Sequence, residues 1–212
     1  MDMDTNNLIL FISKFILNGI GDQVLDEEQE DERGFHSQFQ PQRGQQRGQR
    51  GQAQQEQPQP PVQTQTQHHH PHTQACSSSL NNPSTLQLFQ AKSIPSISIH
   101  NYLVRILRYC PSTNEVFISL IIYFDRMKLL SSLFTINSYN IHRLIIAGIT
   151  VSSKFFSDIF YTNSRYAKVG GLPLSELNQL ELHFLLLNDF NLVINQSELD
   201  SYTKKLLETS ID

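Results

Sequence analysis

The alternation of apolar and polar positions divides the chain into three stretches. The first is Leu8-Ile9-Leu10-Phe11-Ile12-Ser13-Lys14-Phe15-Ile16-Leu17, long enough for a short helix but well under the ~18 apolar residues that a membrane span needs. The chain opens Met1-Asp2-Met3-Asp4, without the basic start of a secretory signal. Residues 1–21 are therefore expected to form a short amphipathic helix that covers the folded domain or docks on a partner. Residues 22–85 carry almost no apolar periodicity. They hold an acidic run, Asp26-Glu27-Glu28-Gln29-Glu30-Asp31-Glu32, and then a Gln-, Pro- and His-rich tract in which 14 of the 30 residues 38–67 are Gln. Such a stretch has too little apolar surface to offset the entropy lost on ordering, so a disordered linker is expected.

From about Leu86 the helical period takes over. Ile97, Ile99, Tyr102, Leu103, Ile106, Leu107 and Cys110 recur in steps of three and four, marking an amphipathic helix after Pro95-Ser96. Ser112 and Glu115 have the spacing of a capping box for a second helix over about 113–130. Its segment Val116–Phe124 is rich in strand formers. The pattern continues to Leu130 without Gly or Pro, too long for an ordinary strand. A third helix is expected from Asn137-Ser138 through Val151, apolar nearly all round, as in a helix enclosed by others. A short helix near Ser164–Lys168 should end at Gly170-Gly171 in a left-handed cap. Helices opening at Pro173-Ser175 and near Ser197 complete a domain over 86–212. The fold class is all-α.

Composition narrows the function. Charged residues are 17% of the 212, below the roughly 25% of an average protein. The net charge of −4 is the sum of −5 on residues 1–80 and +1 on residues 81–212. The helical part is near neutral, which argues against a non-specific nucleic-acid binder. Cys76 and Cys110 have no partners at zinc or disulfide-framework spacing. A membrane channel, a disulfide-stapled module and a Cys-rich zinc domain are excluded. The Arg-Gly pairs of residues 43–51 lack the interleaved aromatics of an RNA-binding segment. The His68-His69-His70-Pro71-His72 cluster has no rigid scaffold to define a metal geometry. His100, His142 and His183 stand alone in helical patterns, and Val169-Gly170-Gly171 lacks a phosphate-loop ending. No catalytic set, metal site or cofactor site emerges.

Four charges sit where apolar residues are expected: Arg105, Asp125, Lys154 and Glu181. A buried unpaired charge costs several kcal/mol. These groups are therefore either paired within the domain, extended to solvent, or directed at a partner across an apolar interface.

Several motifs resemble those of the cyclin family, in its P/U-type branch of fungal phosphate-pathway and plant cyclins. They are Ile94–Ile106, Ile122-Tyr123-Phe124-Asp125-Arg126, Ile136–Leu144, Tyr166-Ala167-Lys168-Val169-Gly170-Gly171, Glu176–Glu181 and Phe184-Leu185, in family order over about residues 90–195. The resemblance implies a single cyclin box: a five-helix cyclin fold with a central enclosed helix, plus flanking N- and C-terminal helices. It implies a regulatory subunit that pairs as a heterodimer with a cyclin-dependent protein kinase, in the cytoplasm, the nucleus or both. By position, Lys154, Phe155 and Glu181 match the kinase-contacting residues, and Asp125 matches an orienting acid with Arg105 as its partner. Neither direct nucleic-acid binding nor a membrane is implied. The alternatives are a kinase-independent helical adaptor and a transcription-associated cyclin-fold protein.

Overall fold

The computed structural model describes residues 4–20 and 83–208. These form eight helices: α1 (Thr5–Ile20), α2 (Pro83–Leu88), α3 (Ile99–Tyr109), α4 (Asn114–Leu130), α5 (Ile141–Phe156), α6 (Asn163–Gly170), α7 (Leu174–Leu187) and α8 (Gln196–Glu208). The all-α expectation is met. The expected linker lies outside the described residues, as do its His cluster and Arg-Gly pairs, except for residues 83–85, which already open α2.

α5 is the expected central enclosed helix, and α4 is covered almost as completely. α5 buries the unbroken run Leu144–Ser153, because α3, α4, α6 and α7 all pack on it. α4 buries Val116–Phe124 without interruption beneath α1, α5 and α8. The strand-like composition of this segment has that cause. A helix covered on three sides has no polar face, so its apolar residues lose their helical period. α1 packs directly on α3, α4 and α8, burying Leu8, Ile9, Ile12 and Ile16 along one helical stripe. The Thr5 hydroxyl, at its first turn, donates to Asn114 Oδ1 at 2.9 Å.

Helix starts differ from expectation where side chains compete for the backbone. Ser112 does not form a capping box; its hydroxyl donates to the Cys110 carbonyl at 3.1 Å, and α4 starts after Thr113 without a side-chain cap. α5 begins at Ile141 rather than Asn137. Asn137 Oδ1 accepts from the Tyr139 N–H and Asn140 Oδ1 from the Asn137 N–H, both at 2.9 Å, a side-chain-stabilised turn that delays the helix. α3 begins at Ile99, where Ser98 Oγ accepts from the Asn101 N–H at 3.2 Å.

The connection from α7 to α8 is held by α4. Asp189 and Phe190 both have positive φ, 50° and 54°, a conformation non-glycine residues rarely adopt. The Tyr123 hydroxyl donates to the Leu192 carbonyl at 2.7 Å. Arg126 donates to the Asn191 and Val193 carbonyls at 2.9 Å each and bonds both carboxylate oxygens of Glu198 in α8. A guanidinium satisfying two carbonyls and a carboxylate is a rigid staple. Arg126→Ala should lower stability by about 2–3 kcal/mol and make residues 189–195 susceptible to limited proteolysis. Urea unfolding and timed digestion read the two effects.

α3 is tied to α5 through a histidine. His142 Nε2 lies 2.8 Å from the Ile97 carbonyl, so this nitrogen carries the proton and donates, and the ring meets Tyr102 edge-on at 4.9 Å. Burial holds the imidazole below its ordinary value of 6.5, with the Ile97 bond pulling the other way. The unfolded chain therefore takes up this proton first. Above about pH 6.5 the group leaves stability unchanged. As pH falls below that value stability is lost, until the folded-state value is passed and the loss levels off. Subtracting the melting curves of His142→Gln from those of the wild type across a pH series should isolate this decline.

Candidate functional site

Lys154 and Glu181 are brought together by helix packing, not by a loop. Lys154 occupies the last turn of α5, where a cation also opposes the helix dipole. Glu181 lies midway along α7. Their approach requires α5 to run close to both α4 and α7, and Gly148 permits it. A Cβ at Gly148 would meet Leu120 Cδ1 at 2.4 Å and the Phe184 ring at 2.9 Å. Beyond Gly148, hydroxyls join α5 to α4 and to the turn that precedes it. Ser119 donates to Ser152 at 3.0 Å, and Ser112 and Ser153 lie 3.4 Å apart. Small side chains here let the end of α5 sit deep against α4, with Lys154 reaching outward.

The Lys154 ammonium lies 2.5 Å from Glu181 Oε1, with side chains 31% and 16% exposed. Of the readings left open by the sequence, intramolecular pairing is therefore met for these two residues. Asn163, the first residue of α6, donates from Nδ2 to Glu181 Oε2 at 2.6 Å and to Asn178 Oδ1 at 2.8 Å. Apolar side chains surround this polar group in sequence and stand in solvent: Phe155, Ile159 (91% exposed), Phe160 and Leu182. Phe155 leans edge-on against Phe156, with centroids 5.0 Å apart. The stretches of chain next to the ion pair thus combine a charged pair with exposed apolar side chains.

The expected Arg105–Asp125 pair is not formed. Asp125 accepts from the Tyr202 hydroxyl of α8 at 3.0 Å and lies 3.7 Å from Lys128 on its own helix. Burial, then the charge of Asp125 and its bond, push the Tyr202 phenol up to about 12. Arg105 lies instead near Tyr102, where its charge and that of Arg143 partly oppose the upward effect of burial on the phenol. Asp125 thus orients α8 on α4, not α3 on α4. The rotation of two helices about their axes, which decides such a pairing, leaves no trace in residue spacing. The structure contains two further inter-helix pairs, Arg126–Glu198 and Arg143–Glu176, at 2.8 and 2.6 Å.

The Tyr166–Gly171 motif is structural throughout. Tyr166, Ala167 and Val169 are buried and Lys168 faces solvent. The backbone of Gly170 lies so close to α5 that a Cβ would meet Ile146 at 2.8 Å, and its carbonyl accepts from the Tyr102 hydroxyl at 3.2 Å. Gly171 ends the helix with φ 71°. The Leu172 N–H bonds to the Ala167 carbonyl and the Gly171 N–H to that of Lys168, the paired closure of a left-handed cap. Arg165 ties the start of α6 to the end of α3 by donating to the Tyr109 carbonyl. The motif thereby fixes where Asn163 stands. Neither Asn163 nor the serine contacts had a signal in the sequence beyond small polar residues inside apolar helices.

Among the described residues no group of three His, Cys, Asp or Glu side chains is placed to hold a metal ion, and no helix is long and apolar enough to cross a membrane. Gly148→Val should wedge α5 away from Leu120 and Phe184, destabilising the domain by about 2–3 kcal/mol through overpacking. A thermal melt compared with the wild type checks it.

Comparison with known proteins bears on the same residues. A family model described as Cyclin matches residues 52–192. The chain is 60% identical over 132 residues to the PHO85 cyclin-like protein psl1 of Schizosaccharomyces pombe, covering 61% of this chain and 53% of that protein. It is 48% identical over 129 residues to PHO85 cyclin-7 of Saccharomyces cerevisiae, covering 56% and 45%. It is 42% identical over 116 residues to Cyclin-U2-2 of Arabidopsis thaliana, covering 55% and 50%. The chain spans about half the length of the curated relatives it matches. Fungal PHO85 cyclins and plant U-type cyclins are the two groups that the P/U-type resemblance names. With a cyclin match over most of its length and relatives of both groups, the chain belongs to the cyclin family.

Proposed function

We propose that the chain is the regulatory subunit of a cyclin-dependent protein kinase and binds it through the surface centred on Lys154, Glu181 and Phe155. The observation that carries this reading is the partly exposed Lys154–Glu181 pair, with solvent-exposed Phe155, Ile159, Phe160 and Leu182 close to it in sequence. The names of the fungal relatives support it, since PHO85 cyclins regulate a cyclin-dependent kinase.

The mechanism is a population shift. A protein kinase is active only when the glutamate of its mobile helix pairs with the nucleotide-binding lysine. A partner that binds this arrangement more tightly than the inactive one raises its population by that difference in affinity. The cyclin supplies no catalytic group in this scheme. Its apolar side chains cover the outer face of the mobile helix, and its polar pair engages main-chain groups at the helix end. The resulting complex is a heterodimer acting in the cytoplasm, the nucleus or both.

Lys154→Ala and Glu181→Ala are each expected to weaken binding to purified PHO85 kinase by about tenfold, or 1.4 kcal/mol, with helicity retained. The double variant should lose less than the sum of the two, because each group already holds the other. Titration calorimetry and a phosphorylation assay with a generic peptide read binding and activation. Wild-type affinity in the double variant overturns the assignment.

A further inference from the structure

Glu181 is gripped at both oxygens by two different helices. Lys154 of α5 meets Oε1, and Asn163 of α6 donates to Oε2 at 2.6 Å. The second amide proton of Asn163 goes to Asn178 Oδ1, so both are directed at α7. This is an unusual use of a first-turn asparagine. Asn ordinarily serves a helix start by capping its own backbone, yet at α6 no side chain caps the helix. The Asn163 side chain reaches across to another helix, from a main chain fixed by the Arg165 bond to Tyr109.

The consequence lies in the carboxylate. An ionised carboxylate has about four acceptor positions, and the Lys154 and Asn163 contacts occupy one on each oxygen. With both oxygens held, the terminal torsion of Glu181 is set before any partner arrives. The remaining acceptor positions keep a fixed direction. Contact surfaces gain affinity from such prior ordering, because the ordering cost is not charged to binding.

We propose that Asn163 is a positioning residue of the docking site: it holds Glu181 in the orientation that receives partner main-chain N–H groups. The proposal rests on the reading of Lys154 and Glu181 as the docking pair. It predicts that the amide's two protons, not merely its bulk, are needed. Asn163→Leu keeps the branched outline and removes the donor. Asn163→Asp keeps the shape but sets a second carboxylate, with no amide protons, against Glu181.

The test measures the affinity of the intact chain for purified PHO85 kinase. It uses the wild type, Asn163→Leu, Asn163→Asp, Glu181→Ala and the double variant of Asn163→Leu with Glu181→Ala, with melting curves confirming that each is folded. Asn163→Leu and Asn163→Asp should each bind about tenfold more weakly than the wild type. In the Glu181→Ala background Asn163→Leu should cost no further affinity, because it acts through that carboxylate. A purely structural tie between α6 and α7 would weaken binding by the same factor in both backgrounds. If Glu181→Ala loses affinity while Asn163→Leu keeps it, or if Asn163→Leu costs as much in the Glu181→Ala background, the positioning role is overturned and the docking reading stands. If Glu181→Ala also binds normally, both fall.

Discussion

The close contact between α4 and α5 is the constraint from which the rest of the domain follows. Each has a run of nine or more buried residues, and neither has a polar face to offer to water along that run. Burying a large aliphatic or aromatic side chain stabilises by roughly 1.5–3 kcal/mol relative to exposure. Two such helices in contact still leave their outer sides apolar. α1 and α8 complete the cover of α4, and α3, α6 and α7 that of α5. The flanking helices are therefore part of the core's solution, not decorations upon it. Gly148 and the hydroxyls of Ser119 and Ser152 set how near the two central axes can come.

That same closeness determines the polar surface. Lys154 projects from the point where α5 leaves the core, and Glu181 comes from a helix whose Phe184 packs on Gly148. Both ends of the ion pair are thus referenced to one buried contact. Asn163 is positioned through the Tyr166–Gly171 motif, whose apolar members and left-handed cap lock α6 between α3, α5 and α7. A polar cluster assembled from three helices, rather than from one loop, keeps its geometry when a single side chain moves.

Helix identity and order were legible in the sequence because the outer helices keep one polar face. α3 shows it clearly, with Ile99, Tyr102, Leu103 and Ile106 buried on one stripe. The cap at Gly170-Gly171 was legible because only glycine fits that backbone without strain. α4 was ambiguous for the opposite reason: cover on three sides erased its period. The capping residue of α4 and the first residue of α5 were misplaced because Ser112, Asn137 and Asn140 use their side chains on local backbone, a competition that composition does not reveal. For the site, Lys154 and Glu181 stood out as charges within apolar helices. Arg105 and Asp125 stood out equally, yet they point to different neighbours. Charge in an unexpected place identifies a residue that matters, whereas its partner depends on helix rotation, which only the packed structure supplies.

The position of α1 bears on how the domain is held together as a chain. α1 ends at Ile20 and the next described helix begins at Pro83, with residues 21–82 joining them in sequence. The hold of α1 on α3, α4 and α8 is therefore intramolecular, at an effective concentration set by the connecting chain. One cut between these points would leave the contacts of α1 with α3, α4 and α8 in place. It would nonetheless convert α1 into a separate ligand, whose occupancy then falls as the protein is diluted.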